Sequence, residues 1–175
     1  MTQAVARFPL LSRLLHWTMA TLILVMLFIG IGMVSTTSPR YHMLLSVHRS
    51  IGMLILILVA ARLINRLINP PPSLPADLPD WQKALAKASH WLLYGLMFAL
   101  PIVGWAMLSA GGYPIEIFGS IDLPPLLHRD LALFAGLRSA HTVLALLLFA
   151  TFLAHLGAAL FHGFVRRDGV LKSMM

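Results

Sequence analysis

The eight histidines are the residues of this chain whose type and placement suggest chemistry at a bound metal. Two of them, His141 and His155, lie in AHTVLALLLFATFLAHLGAALF (140–161), an apolar run long enough to cross a bilayer. On an α-helix their spacing is a rise of about 21 Å and falls about 40° short of four full turns, so both imidazoles leave nearly the same face at two depths. One helix can therefore offer ligands to two stacked cofactors. A histidine at a helix end is often simply an interfacial residue, but ionisable groups inside spans are usually functional, and two at this spacing favour ligation.

The chain has no cysteine. That removes disulfides, iron–sulfur clusters, thiolate ligation and covalent haem attachment through Cys-x-x-Cys-His, and leaves histidine as the strong soft ligand.

The elements that must position these histidines are membrane helices. Of the 175 residues 59% are hydrophobic and only 11% charged, and the mean hydropathy is +0.85, well outside the usual globular mix. At about 20 residues per span, the length allows four crossings with short loops and no soluble catalytic domain. We expect an all-α integral membrane protein, one domain over residues 1–175. The N-terminal MTQAVARFPLLSRLLHW carries arginines ahead of an apolar run longer than a signal peptide's and lacks a clear small-residue cleavage site, so it reads as a retained first span. The formal net charge of +7 does not point to nucleic acid, because the basic residues sit at the ends of apolar spans and form no stripe with interleaved aromatics.

The expected spans are about 14–34, 48–68, 90–110 and 140–163. Pro39, in STTSPRYHMLL, separates the first two. NPPPSLPADLPDW (69–81) is too rich in proline for a helix and reads as an extended connector. Span three contains Pro101, a candidate kink tolerated where neighbours satisfy the freed carbonyl, and ends at Gly111 and Gly112. Between spans three and four, HRDLALFAGLRS (128–139) reads as a short surface helix.

Four crossings put both termini on one side. Nine Lys and Arg (Arg7, Arg13, Arg62, Arg66, Lys83, Lys87, Arg166, Arg167 and Lys172) fall on that side and four (Arg40, Arg49, Arg129 and Arg138) on the other. The positive-inside rule makes both termini cytoplasmic. In a bacterial inner membrane the loops around Pro39 and Pro114 then face the periplasm.

Depth pairs the histidines. His48 and His141 begin spans two and four at the periplasmic side, whereas His16 begins span one at the cytoplasmic side and His155 lies towards the cytoplasmic end of span four. Each pair can hold a six-coordinate haem iron through neutral imidazole nitrogens, which suits an electron carrier because no position is left for dioxygen. Gly52 and Ala20, one turn after His48 and His16, would leave room beside a flat porphyrin, although small residues in membrane helices more often let helices approach. His162, seven residues after His155 and on almost the same face, competes for the cytoplasmic iron. It would set that iron roughly 31 Å from the one at His141, which is too long for efficient direct electron transfer, so geometry favours His155. His42, His90 and His128 lie in loops or at span edges and read as solvated or headgroup-level residues, His90 with a possible supporting role towards a quinone or a haem propionate.

LLHWTMA with His16, HRSIGM with His48, ARLINRLINPPPSLP, HWLLYGLMFALPIVGW and the His141/His155 span resemble, in the same order and over almost the entire chain, the bacterial cytochrome b561 family of di-haem membrane electron carriers. The resemblance implies a four-transmembrane-helix bundle enclosing two haems b, ligated at His16, His48, His141 and His155, and it settles His155 over His162. It also implies electron transfer within the inner membrane, either as a superoxide:ubiquinone oxidoreductase or as a simple electron carrier. A periplasmic anion such as superoxide needs positive charge for steering. Arg40, Arg49, Arg129 and Arg138 are candidates to supply it, although any one of them can equally anchor a lipid headgroup or pair with a haem propionate, and Glu116, Asp122 and Asp130 reduce that side to a net +1. A second reading makes the chain a cytochrome b subunit docking a separate dehydrogenase or hydrogenase as its redox partner protein, against which the short termini and loops offer little surface. A third, a histidine-based proton or metal transporter, is disfavoured because Asp and Glu are absent from all four spans. Membrane lipids and quinone are the expected partners.

Overall fold

A computed structural model describes residues 6–175; the first five residues of the stretch read as a retained N-terminal segment lie outside the described residues. Four long helices dominate: α1 (Leu10–Ser35), α2 (Arg40–Ile68), α3 (Asp80–Gly111) and α4 (Leu131–Leu160). A π-helical turn, Phe161–Arg166, extends α4, and a four-residue helix, α5 (Val170–Ser173), follows. The four long helices, the last counted to Arg166, run for 26, 29, 32 and 36 residues, each more than the roughly 20 that a bilayer core requires. Among the described residues the bundle is all-α apart from one small ribbon, β1 (Glu116–Ile117) antiparallel to β2 (Ile121–Asp122).

Prolines set the helix starts. Pro9, Pro39 and Pro79 each stand immediately before the first residue of α1, α2 and α3, where the missing N–H costs nothing and the fixed φ suits a helix entry. α2 stops where Asn69 N–H bonds back to the Asn65 carbonyl and Pro70, Pro71 and Pro72 supply no further donors. Pro101 is accommodated inside a continuous α3. That helix ends as its glycines suggest: Gly112 takes the left-handed conformation (φ 71°), and the amides of Gly112 and Tyr113 bond to the carbonyls of Ser109 and Leu108 at 3.0 Å each, closing the last turn.

The separate surface helix expected over 128–139 is not formed. Those residues lead into α4 itself, which begins at Leu131. Asp130 caps it, its carboxylate accepting from the amides of Ala132 and Leu133 at 2.9 and 3.0 Å, and no proline interrupts the run to Leu160. Arg138 and Ser139, which mark a boundary by composition, are simply helical, and Ser139 Oγ bonds back to the Ala135 carbonyl.

α1 packs on α2, α2 on α3 and α3 on α4. Met19, Ile23, Ile55, Val59, Tyr94, Leu96, Met97 and Leu148 form the buried centre, while apolar side chains such as Val34 (91% exposed), Phe28 and Leu146 point outward, as lipid-facing residues do. Asn65 is a buried polar residue of α2, and its amide donates to Ser12 Oγ of α1 at 2.7 Å. Its burial is tolerated because it is bonded.

Candidate functional site

The four helices bring the histidines together as two pairs at opposite ends of the bundle. His48 of α2 and His141 of α4 have ring centres 6.1 Å apart. At the end that carries the chain termini, His16 of α1 and His155 of α4 are 6.3 Å apart. α4 is helical across both of its histidines, so the pairs are separated by about 21 Å of rise. The main close backbone contacts of α4 are with α3, not with α1 or α2. Each pair therefore reaches across between helices that are not closely packed neighbours.

The surroundings of the two pairs differ. Nδ1 of His48 and Nδ1 of His141 are both buried without a hydrogen-bond partner. The His141 ring lies against Gly104 of α3, where an added Cβ would come within 3.4 Å of its Cε1. Gly104, which composition does not single out, thus makes room for this ring. Gly52, the glycine expected to do so beside His48, faces Met26 of α1, whose Cε would lie 3.7 Å from an added Cβ.

At the other pair, Arg62 of α2 donates from a terminal guanidinium nitrogen to Nδ1 of His16 at 2.9 Å and from Nε to the Tyr94 hydroxyl at 3.2 Å. Arg66, one turn on, sits 5.7 Å from the Trp91 ring centre and 5.6 Å from that of Tyr94, within cation–π range. His90 of α3 is not at a solvated edge. It is half-buried, with its ring centre 5.4 Å from that of His155. The signal for this was its place in HWLLY, one turn before Tyr94 on the face that meets Arg62 and Arg66. His42 and His128 are exposed. His162 lies in the π-helical turn, and its Nδ1–H donates to Asp168 Oδ2 at 2.6 Å, the carboxylate being able only to accept.

The segment between α3 and α4 caps the His48/His141 end. Arg49 donates to the Pro114 carbonyl at 2.8 Å, the Phe118 amide to Ser50 Oγ at 2.8 Å, and Trp105 Nε1 to the Pro124 carbonyl at 3.0 Å. Phe118 and Gly119 make the turn of the ribbon with φ of 52° and 74°. Two cavities lie away from the histidine pairs. One of about 370 Å³ under this cap is walled by residues such as Tyr113, Pro114 and Leu123, and one of about 310 Å³ at the other end by His162, Arg167 and Lys172.

Among the described residues no three His, Asp or Glu side chains gather into a metal chelate. What the site offers is two opposed imidazole pairs in a membrane bundle. The family model described as prokaryotic cytochrome b561 matches residues 7–175. The chain belongs to that family. It is 35% identical to "Cytochrome b561 homolog 2" of Escherichia coli K12 over 99% of this chain and 94% of that relative, and 28% identical to "Cytochrome b561 homolog 1" of the same organism over 97% of each. It is also 35% identical to "Probable superoxide oxidase CybB" of Yersinia pestis, over 74% of this chain and 73% of that relative. The protein is thus a b561-type, multi-pass membrane protein with an electron-transfer role, and membership in the family carries the potential to bind haem.

Proposed function

We propose that this chain is a di-haem b-type cytochrome of the bacterial inner membrane that takes electrons from a small periplasmic donor, superoxide, and delivers them to ubiquinone. The observation that carries the reading is the pair of imidazole pairs at two depths. Two imidazoles bound to opposite sides of one metal ion, each nitrogen about 2 Å from it, hold their ring centres roughly 6 Å apart, and the two pairs lie at 6.1 and 6.3 Å. The residues fit the group in two further ways. The ring nitrogen Nδ1 of His48 is buried and uncommitted, which is rare without a reason. Both pairs also join helices that are not closely packed neighbours. His16 and His155 would hold the cytoplasmic haem, and His48 and His141 the periplasmic one.

A haem iron bound by these histidines would supply one-electron chemistry, and with a histidine on each side of it no position would be left for dioxygen. The protein's own residues do the rest. α4 fixes the separation of the two sites, and the basic excess around Arg62, Arg66, Arg166 and Arg167 keeps the termini cytoplasmic. On the periplasmic side Arg40, Arg129 and Arg138 are exposed and attract an anionic donor, while Arg49 is engaged in holding the cap. The net reaction converts two superoxide anions to two molecules of dioxygen, and ubiquinone takes the two electrons with two protons to become ubiquinol. The name of the Yersinia pestis relative supports this choice of donor. The whole of residues 1–175 then acts as one domain.

The test is to purify the protein and measure superoxide-dependent reduction of a soluble ubiquinone analogue, with haem quantified per chain by the pyridine method. We expect two b haems and a rate well above the uncatalysed one. Two haems without superoxide-dependent quinone reduction would remove the donor, and no haem would remove the cytochrome reading altogether.

A further inference from the structure

Arg62 and Arg66 are four residues apart on α2, so their side chains leave the same face about 6 Å apart along the axis. Both are half-buried and both lean on Tyr94, Arg62 at 6.0 Å and Arg66 at 5.6 Å from its ring centre. Among the described residues neither has an ion-pair partner. The six acidic residues are accounted for elsewhere: Asp77, Asp80 and Asp168 pair with Arg166, Lys83 and His162, and Glu116, Asp122 and Asp130 belong to the opposite end of the bundle. Two guanidiniums drawn partly out of water with no anion between them are costly, and such groups are normally paired.

The bond from Arg62 to His16 adds a second constraint. A guanidinium only donates, so Nδ1 of His16 is here the acceptor and the ring proton sits on Nε2. This arrangement does not survive metallation. If a metal binds Nε2, the neutral ring carries its proton on Nδ1 and two donors face each other. If it binds Nδ1, the metal takes the lone pair that Arg62 uses. In either case Arg62 is displaced and must find another acceptor close by.

We infer that Arg62 and Arg66 form a carboxylate-binding site that receives the two acidic side arms of the haem held by His16 and His155, with Arg62 occupying His16 until that haem arrives. The inference rests on the di-haem reading above. Arginine's planar fork suits a carboxylate bidentately, and the Tyr94 hydroxyl accepts from Arg62 Nε, leaving the terminal nitrogens to present the fork. In the haem-free protein the same bond fixes the orientation of the His16 ring. Among the described residues no arginine bonds to His48 or His141; Arg49, next to His48 in the chain, donates from a terminal nitrogen to the Pro114 carbonyl, and its Nε is buried without a partner.

The test uses full-length protein produced without haem and titrated with ferric haem b or with its dimethyl ester, whose side arms are uncharged, following the Soret band. In the wild type, one of the two equivalents of the ester should bind at least about tenfold more weakly than haem, as loss of a charged hydrogen bond costs. Arg62→Gln should weaken one haem equivalent by a similar factor and leave ester binding unchanged, and Arg62→Lys should recover part of the loss. Arg66→Gln should act in the same direction. Equal affinity of the wild type for haem and ester would overturn the inference without any variant, and would leave the di-haem reading intact. Equal losses of haem and ester in Arg62→Gln would also overturn it, pointing to a structural role or to a lipid phosphate as the anion. A wild type that binds neither compound would instead take down the reading on which the inference stands.

Discussion

The two ends of this bundle solve the same problem with different chemistry. At the capped end, Nδ1 of His48 is buried without a partner and the Leu100 carbonyl lies against the His141 ring, and the local fixtures are a glycine that makes room and a cap tied down by side chain–backbone hydrogen bonds of Arg49, Ser50 and Trp105. At the end carrying the termini, His16 and His155 sit among Arg62, Arg66, Tyr94 and a third imidazole, His90. Beyond them Arg166 donates to Asp168 at 3.0 Å and to Asp77 of the connector at 2.7 Å. One imidazole pair is thus held by shape and the other by charge. Two similar ligand pairs in such different fields would give their cofactors different potentials and affinities, since nearby charge, hydrogen bonding and burial tune a bound haem.

The largest expected effect comes from removing a ligand. If the ends are two independent sites, His48→Ala or His141→Ala should lower the haem content from two per chain to about one and spare the spectrum of the other haem, and His16→Ala or His155→Ala should do the reverse. His42→Ala and His162→Ala should keep both, because one ring is exposed and the other is tied to Asp168. The pyridine assay and low-temperature difference spectra of each variant decide this. A variant such as His48→Ala that lost both haems would show that the two ends are not separable.

A smaller and more selective effect is expected at Gly104. An added Cβ would already lie 3.4 Å from the His141 ring, so the longer side chain of Gly104→Leu must displace that ring. Overpacking of this kind costs about 1–3 kcal/mol, or about 5- to 150-fold in affinity, and it should fall on the His48/His141 haem alone. Haem titration with the two Soret components resolved would show it. A loss shared equally by both sites would mean that Gly104 supports the bundle as a whole.

Why some of this could be read from the chain and some could not follows from what a helix conserves. Depth is legible because a helix rises a fixed distance per residue, so the side-by-side placement of His16 with His155 and of His48 with His141 follows from where each span begins. The four spans, the proline stops and the Gly112 terminus are legible for the same local reasons. Rotation of one helix about its own axis relative to its neighbours is not. That rotation turns His90 towards His155, puts Arg62 against His16 and lays Gly104 on His141, and none of these contacts is encoded in spacing along one segment. The start of α4 at Leu131 was hidden because Arg138 and Ser139 mark a membrane boundary by composition, while the cap that decides the matter is one carboxylate, Asp130. The network at the far end of α4 depends on a π-helical turn and on Arg167 adopting φ 54°, which propensity alone does not foresee.

That network yields the smallest effect and the one that most directly tests the contrast between ends. Asp168 has a side chain only 10% exposed. Burial opposes its ionisation, but the hydrogen bonds from His162, the Val170 amide and Arg166 outweigh this and hold its carboxyl below the usual carboxylate range. A carboxyl whose folded value is depressed stabilises the fold above its unfolded value and loses that contribution as pH falls through the folded one. As pH drops below about 4 the unfolded chain takes up a proton before the folded chain does, so stability declines with acid. Wild type should therefore exceed Asp168→Asn by about 1.5–3 kcal/mol at neutral pH, the scale of a hydrogen bond to a charged group, and the gap should close in acid. Asp122 at the capped end is exposed and among the described residues has no ion-pair partner, so Asp122→Asn should leave the same acid limb unchanged. Thermal melts of the three proteins across this pH range check the claim. Identical acid limbs for wild type and Asp168→Asn would mean that the ionic network at the terminal end adds nothing to stability, and the two ends would then differ only in how they hold their imidazoles.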